Sequence, residues 1–136
     1  MISEMPEWFR LRLALTTPFF WVLVVLGAPA LLYSPGVDVA LWSLPLRAFV
    51  EEFLFRGVVQ DALERRFALR IGIVTGANLF VSLLFALAHL PTHPPLWAAL
   101  TFLPSLAFGA LWSRHRSVTA CAFLHVAYNV MFFLSV

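Results

Sequence analysis

Three short stretches of the chain hold residue types that can carry out hydrolysis. "EEFLFR" at 51–56 contains Glu51, Glu52 and Arg56. "FALAH" at 85–89 contains Phe85 and His89, and "HVAYN" at 125–129 contains His125 and Asn129. A carboxylate and an imidazole that converge can take a proton from water, and a low-dielectric site makes a carboxylate a better base. An imidazole and an amide four residues apart share a helix face and present two donors, which suits a developing oxyanion. Glu52 and Arg56 are also four apart and can pair, whereas Glu51 lies about 100° round the helix. Arg47, four residues before Glu51, can pair with it or snorkel to headgroups. Water, base and oxyanion donors suffice for peptide hydrolysis without a serine or cysteine nucleophile. Cys121, four residues before His125, is expected to be a small packing residue.

Each set also has a bland explanation. A buried Glu–Arg pair can simply fix helix packing, His89 can be an interfacial histidine beside a proline break, and His125 with Asn129 can be interhelical glue. One carboxylate and one arginine would suffice for packing, so the second glutamate is surplus. A charge at mid-bilayer costs about 2.5–3.5 kcal/mol on insertion scales. Two carboxylates, an arginine, two histidines and an amide placed together in apolar segments are hard to explain as packing. The other polar residues have ordinary explanations. His93 and His115 are expected at the surface, Asp61 and Glu64 on a solvated face, and Asn78, Ser82, Thr119 and Tyr128 in helix packing.

The elements that must position these residues are membrane helices. The 136 residues are 62% hydrophobic and 12% charged, with a mean hydropathy of +0.90. That composition indicates a polytopic, all-α membrane bundle in one domain, 1–136. A net charge of +2 is too small and too dispersed for nucleic-acid binding. The lone cysteine provides neither a disulfide framework nor a CxxC metal site. Five candidate spans of about 20 residues run roughly over 13–33, 41–66, 71–90, 95–113 and 117–136. "APA" at 28–30 resembles a signal-peptidase site, but an uncleaved first membrane helix over 1–33 is the favoured reading. "SPGVD" at 34–38 is turn chemistry, and the prolines of "HLPTHPP" close the third span. With five spans, Arg10 and Arg12, then Arg65, Arg66 and Arg70, then Arg114 and Arg116 all fall on one side. The positive-inside rule makes that side cytoplasmic, with the N-terminus inside and the C-terminus outside.

In this order and at this separation, EExxxR, FxxxH and HxxxN resemble the motifs of the CPBP group of intramembrane proteases. That group includes the CAAX prenyl endoproteases and the bacteriocin-processing or immunity (Abi) proteins. Phe108-Gly109 adds to the likeness, which covers roughly 45–130, the motif-bearing core. The resemblance implies a glutamic-type intramembrane endopeptidase in which Glu51, with His89, activates water and His125 with Asn129 forms the oxyanion hole. Glu52 and Arg56 would be a structural pair and Phe85 a wall of the site. Five spans are fewer than the larger members have. The outward placement of the motifs resembles the small, myxosortase-like members that process C-terminal sorting tails. The expected partner is a membrane-anchored protein or peptide substrate in a bacterial inner membrane, with the site toward the outer face and no cofactor. Two alternatives use the same residues, a zinc metalloprotease and a non-enzymatic immunity or scaffold protein. The first lacks HExxH, and its two glutamates point to different faces.

Overall fold

A computed structural model describes residues 1–32 and 39–134. The turn expected at 34–38 lies outside the described residues, as do Tyr33, Ser135 and Val136. The chain is built from helices: α1 (Glu7–Thr16), α2 (Pro18–Leu26), α3 (Leu44–Glu52), a π-helical segment (Phe53–Gln60), α4 (Asp61–Glu64), α5 (Gly76–His89), α6 (Pro95–Leu100), α7 (Phe102–His115) and α8 (Val118–Phe133). One short antiparallel hairpin, β1 (Arg70–Ile71) and β2 (Val74–Thr75), interrupts them.

The first expected span is bent, with its two parts at 70° to each other. Pro18 has no N–H to continue α1 and pushes the residue before it out of the helical region. Thr17 accordingly adopts φ −93°, ψ 143°. The third expected span starts later than its apolar pattern suggested. Gly72, at φ +61°, makes the tight turn of the hairpin, in a left-handed conformation that glycine adopts without strain. Thr75 then caps α5, its hydroxyl accepting from the N–H of Asn78. Residues 44–64 stay helical throughout but widen to a π-helix over Phe53–Gln60, a rare form that is frequent at functional sites.

Pro95–His115 is long and apolar enough to cross a membrane, and the bent Glu7–Leu32 pair passes the same test if it is one span. Gly76–His89 and Val118–Phe133 are apolar but shorter. The helix over 44–64 carries charges on its buried side and exposed Leu46, Val50, Phe53 and Leu54 elsewhere. Large apolar side chains are exposed on other helices too, among them Val25, Phe80 and Leu103. An apolar surface spread over several helices in this way suits contact with lipid.

α8 is the central element. α3 packs along it, as do α1, α2 and α7, while α5 packs on α7. The apolar core joins Ala14, Phe20 and Leu23 to Phe108, Leu111 and Trp112 and to Ala120, Cys121 and Leu124. Cys121 is fully buried, and its thiol donates to the carbonyl of Phe108 at 3.4 Å. This is the packing role its neighbours in sequence suggested. The N-terminus of α8 is held by α1. Glu7 accepts from Ser117 Oγ at 2.6 Å and from the N–H of Thr119 at 2.9 Å, an anion where the helix dipole favours one.

α5 and α7 approach closely at Gly109. A Cβ there would stand 1.8 Å from Asn78 Oδ1. Asn78 is itself pinned, donating to the carbonyl of Leu106 and accepting from Ser82. Gly109→Ala should therefore displace Asn78 and lower stability by about 1–3 kcal/mol, the usual range for overpacking. Thermal unfolding in detergent measures this, and an unchanged midpoint would contradict the close approach.

Candidate active site

The charged cluster is assembled from α3, the π segment and α8. Glu52 and Arg56 are both fully buried, with Arg56 Nε donating to Glu52 Oε2 at 3.0 Å. The four-residue spacing in the sequence thus produces the expected pair. Arg56 is further held by Gln60 Oε1 at 3.1 Å, by the Ser105 carbonyl at 2.9 Å and by Ser105 Oγ. A buried guanidinium with its donors used in this way is the arrangement that makes a buried charge tolerable.

Glu52 has a second partner. Its Oε1 accepts from His125 Nδ1 at 2.9 Å. A carboxylate oxygen only accepts, so Nδ1 carries the hydrogen. The other ring nitrogen, Nε2, faces Glu51 Oε2 at 3.8 Å. Glu51 and Glu52 therefore lie on opposite sides of one imidazole. Their surroundings differ sharply: the Glu51 side chain is 31% exposed and that of Glu52 is 0% exposed. Arg47 is exposed, and among the described residues it makes no ion pair with Glu51. Of its two expected roles, pairing with Glu51 is not the one it takes.

Two rings flank the imidazole of His125. Phe108 stacks on it, with centroids 4.6 Å apart and planes at 21°. Phe85 meets it edge-on at 5.9 Å and touches His89 at 4.6 Å. The Arg56 guanidinium carbon lies 5.8 Å from the Phe85 ring centroid. Phe85 thus forms a wall shared by both histidines and the ion pair. His89 bonds through Nδ1 to the Phe85 carbonyl one turn back, at 2.7 Å. In the neutral ring that leaves the lone pair on Nε2. His89 joins the cluster through Phe85, with no direct bond to Glu51 among the described residues. Asn129 is one turn beyond His125 on α8 and half-buried, and its amide has no hydrogen-bond partner among the described residues. A donor left open beside a filled network is available to a ligand.

Several residues expected at the surface turn out to be built in. His93 packs between His89 and Trp97, with centroids at 5.3 and 4.5 Å. His115 is 3% exposed and sits by Phe19. Asp61 and Glu64 were expected on a solvated face. The Glu64 side chain is instead 5% exposed and pairs with Arg116 at 2.7 Å, while Asp61 pairs with Arg65 at 2.8 Å and Arg116 at 3.2 Å. The burying partner, Arg116, comes from a distant part of the chain, and nothing near Glu64 in sequence announces it. Gln60 and Ser105, both fully buried on Arg56, carry no chemical motif of their own. For Gln60 a signal existed: Glu52, Arg56, Gln60 and Glu64 form an unbroken four-residue series.

Among the described residues, no group of three or more His, Cys, Asp or Glu side chains is arranged to hold a metal ion. A family model described as Rce1-like, type II CAAX prenyl endopeptidase, matches residues 15–131. No curated protein and no solved structure matches the chain.

Breaking a buried ion pair by removing one partner typically costs about 3–5 kcal/mol. Arg56→Met should show a loss of that order in denaturant or thermal unfolding. Arg47→Met, at an exposed position, should stay within about 0.5 kcal/mol. Equal effects at the two arginines would contradict the buried pairing.

Proposed function

The chain belongs to the Rce1-like family of type II CAAX prenyl endopeptidases, a family of membrane-embedded proteases, and we propose that it hydrolyses peptide bonds by a glutamic-type mechanism. The observation that carries the mechanism is the placing of His125 between two carboxylates, one sealed and paired, the other partly open.

Glu51 is the base, because Glu52 is committed to Arg56 and His125. A water held between Glu51 and His89 attacks the scissile carbonyl carbon. Its proton passes to Glu51, and its other hydrogen is held by the Nε2 lone pair of His89. The carbonyl oxygen becomes an oxyanion. It accepts from Nε2–H of His125, in its doubly protonated form, and from the Asn129 amide. Glu52 keeps the His125 ring turned so that Nε2 faces the developing oxyanion. Collapse of the intermediate breaks the C–N bond, and the proton on Glu51 leaves with the amine. The products are one carboxylic acid and one amine. No metal is required for any of these steps.

The substrate we assign is a membrane-anchored protein or peptide, cut near its C-terminal tail in the manner of the small sorting-type members. Two features favour access from the outer face. His89 ends a helix whose N-terminal cap, Thr75, bonds Glu64 at the arginine-rich end. Asn129 lies eleven residues along α8 from Val118, next to that same end. If the arginines mark the cytoplasm, the reacting groups lie away from it.

Co-expression with C-terminally anchored substrates tests the assignment. Glu51→Gln should insert and fold normally and cleave nothing, since an amide cannot serve as the base. Asn129→Ala should lower kcat by about 10²–10³-fold, as the loss of one oxyanion donor does elsewhere. Cleavage by Glu51→Gln at the wild-type rate would remove Glu51 from the mechanism and favour a peptide-binding role for the cluster.

A further inference from the structure

The Glu52–Arg56 pair is one link in a longer hydrogen-bonded series. Arg56 Nη1 donates to Gln60 Oε1 at 3.1 Å. Gln60 Nε2 donates to Glu64 Oε1 at 2.9 Å, to the Gly109 carbonyl at 3.0 Å and to Ser113 Oγ at 3.2 Å. Glu64 in turn accepts from Thr75 Oγ1 at 2.8 Å and from Ser113 Oγ, and pairs with Arg116. A continuous polar spine therefore runs from His125 down the helix over 44–64 to the cluster at Arg116. Gln60 and Ser105 are 0% exposed.

The chemistry of each link fixes the next. A guanidinium has five N–H donors in a rigid plane, so two anchors besides Glu52 set the direction of Nε. Gln60 fixes one edge and Ser105 the other. Gln60 cannot turn, because its amide nitrogen is held by Glu64 and by α7. Glu52 then has one orientation in which Oε2 meets Arg56 and Oε1 meets His125 Nδ1. A slip anywhere along the series rotates the His125 ring and moves Nε2.

We propose that Gln60, Glu64 and Ser105 are positioning residues that set the His125 imidazole through Arg56 and Glu52, and so govern the rate of the hydrolysis. The link to rate rests on the protease reading above; the link to His125 does not.

Two readouts separate positioning from ordinary packing. The first is the ring-nitrogen NMR spectrum of His125 in histidine-labelled protein in detergent. Gln60→Met should move the Nδ1 and Nε2 signals in the same direction as Glu52→Gln. The second is a double-mutant cycle on kcat. Gln60→Met should lower kcat about tenfold with KM little changed, a loss made only in the transition state, yet have less than about a twofold effect in the Glu52→Gln background. Ser105→Ala removes a single hydroxyl and should show the same pattern if Gln60→Met fails to fold. Phe20→Leu, a cavity in the apolar core, should destabilise without moving the His125 signals. Unmoved His125 signals in Gln60→Met and Ser105→Ala, or losses equal in both backgrounds, would overturn the proposal. If the wild type hydrolyses nothing, the protease reading fails, while the spectra still decide whether the spine sets His125.

Discussion

The ion pair between Glu52 and Arg56 is the constraint around which this bundle is organised. Both side chains are fully buried, and each would pay a heavy desolvation penalty if left incomplete. Arg56 alone demands partners from more than one helix, and it finds them in Glu52, Gln60 and Ser105. Glu52 demands a second donor and finds it in His125. Satisfying these groups ties the helix over 44–64 to α7 on one side and α8 on the other. Apolar packing in lipid does not choose among helix arrangements strongly, because lipid tails are as apolar as leucine. Polar groups with directional requirements do. The close approach at Gly109, where Asn78 occupies the space of a side chain, adds a steric lock beside the polar one.

The two ends of the spine differ in a way that bears on chemistry. At the Arg116 end the carboxylates and hydroxyls are used, Glu64, Asp61, Ser113 and Thr75 bonding one another or the arginine, while Arg10 Nε, Trp112 Nε1 and His115 Nδ1 are buried nearby without a hydrogen-bond partner among the described residues. Glu7 and Arg10 close that end further, Arg10 pairing with Glu7 and donating to the carbonyl of Arg116. At the other end capacity is left over. Glu51 is partly exposed, and among the described residues the ionisable group that faces it is His125, at 3.8 Å. The ring nitrogen of His89 opposite Phe85 has no hydrogen-bond partner among the described residues, and the amide of Asn129 has none. A structural network has no use for a base, a lone pair and an open donor grouped together. A site that must bind water and a peptide carbonyl does.

Much of this was legible in the sequence because it rests on four-residue spacing within single helices. Glu52 with Arg56 is such a case, and Phe85 with His89 is another. What was not legible depends on partners far away in the chain. Glu64 looked solvated until Arg116 was brought against it, and His115 looked superficial until Phe19 covered it. Pro18 carried a visible signal for a bend that the hydropathy pattern hid, since apolar residues continue on both sides of it. The hairpin before α5 is masked in the hydropathy pattern because Ile71, Ile73 and Val74 fit an apolar span, although Gly72 marks a turn. The π-helical widening leaves no trace in residue spacing. That His125 uses Nδ1 on Glu52 and turns Nε2 toward Glu51 is a matter of ring orientation that no motif specifies.

The central claim is that Glu51 delivers water directly to the peptide bond, with no covalent intermediate. Single-turnover cleavage in heavy-oxygen water with added hydroxylamine tests it most directly. Mass spectrometry should find one heavy oxygen in the new C-terminal carboxylate and no hydroxamate. A hydroxamate product would mean that an acyl-enzyme had formed and been intercepted, and would contradict the assignment of Glu51 as the base acting on water.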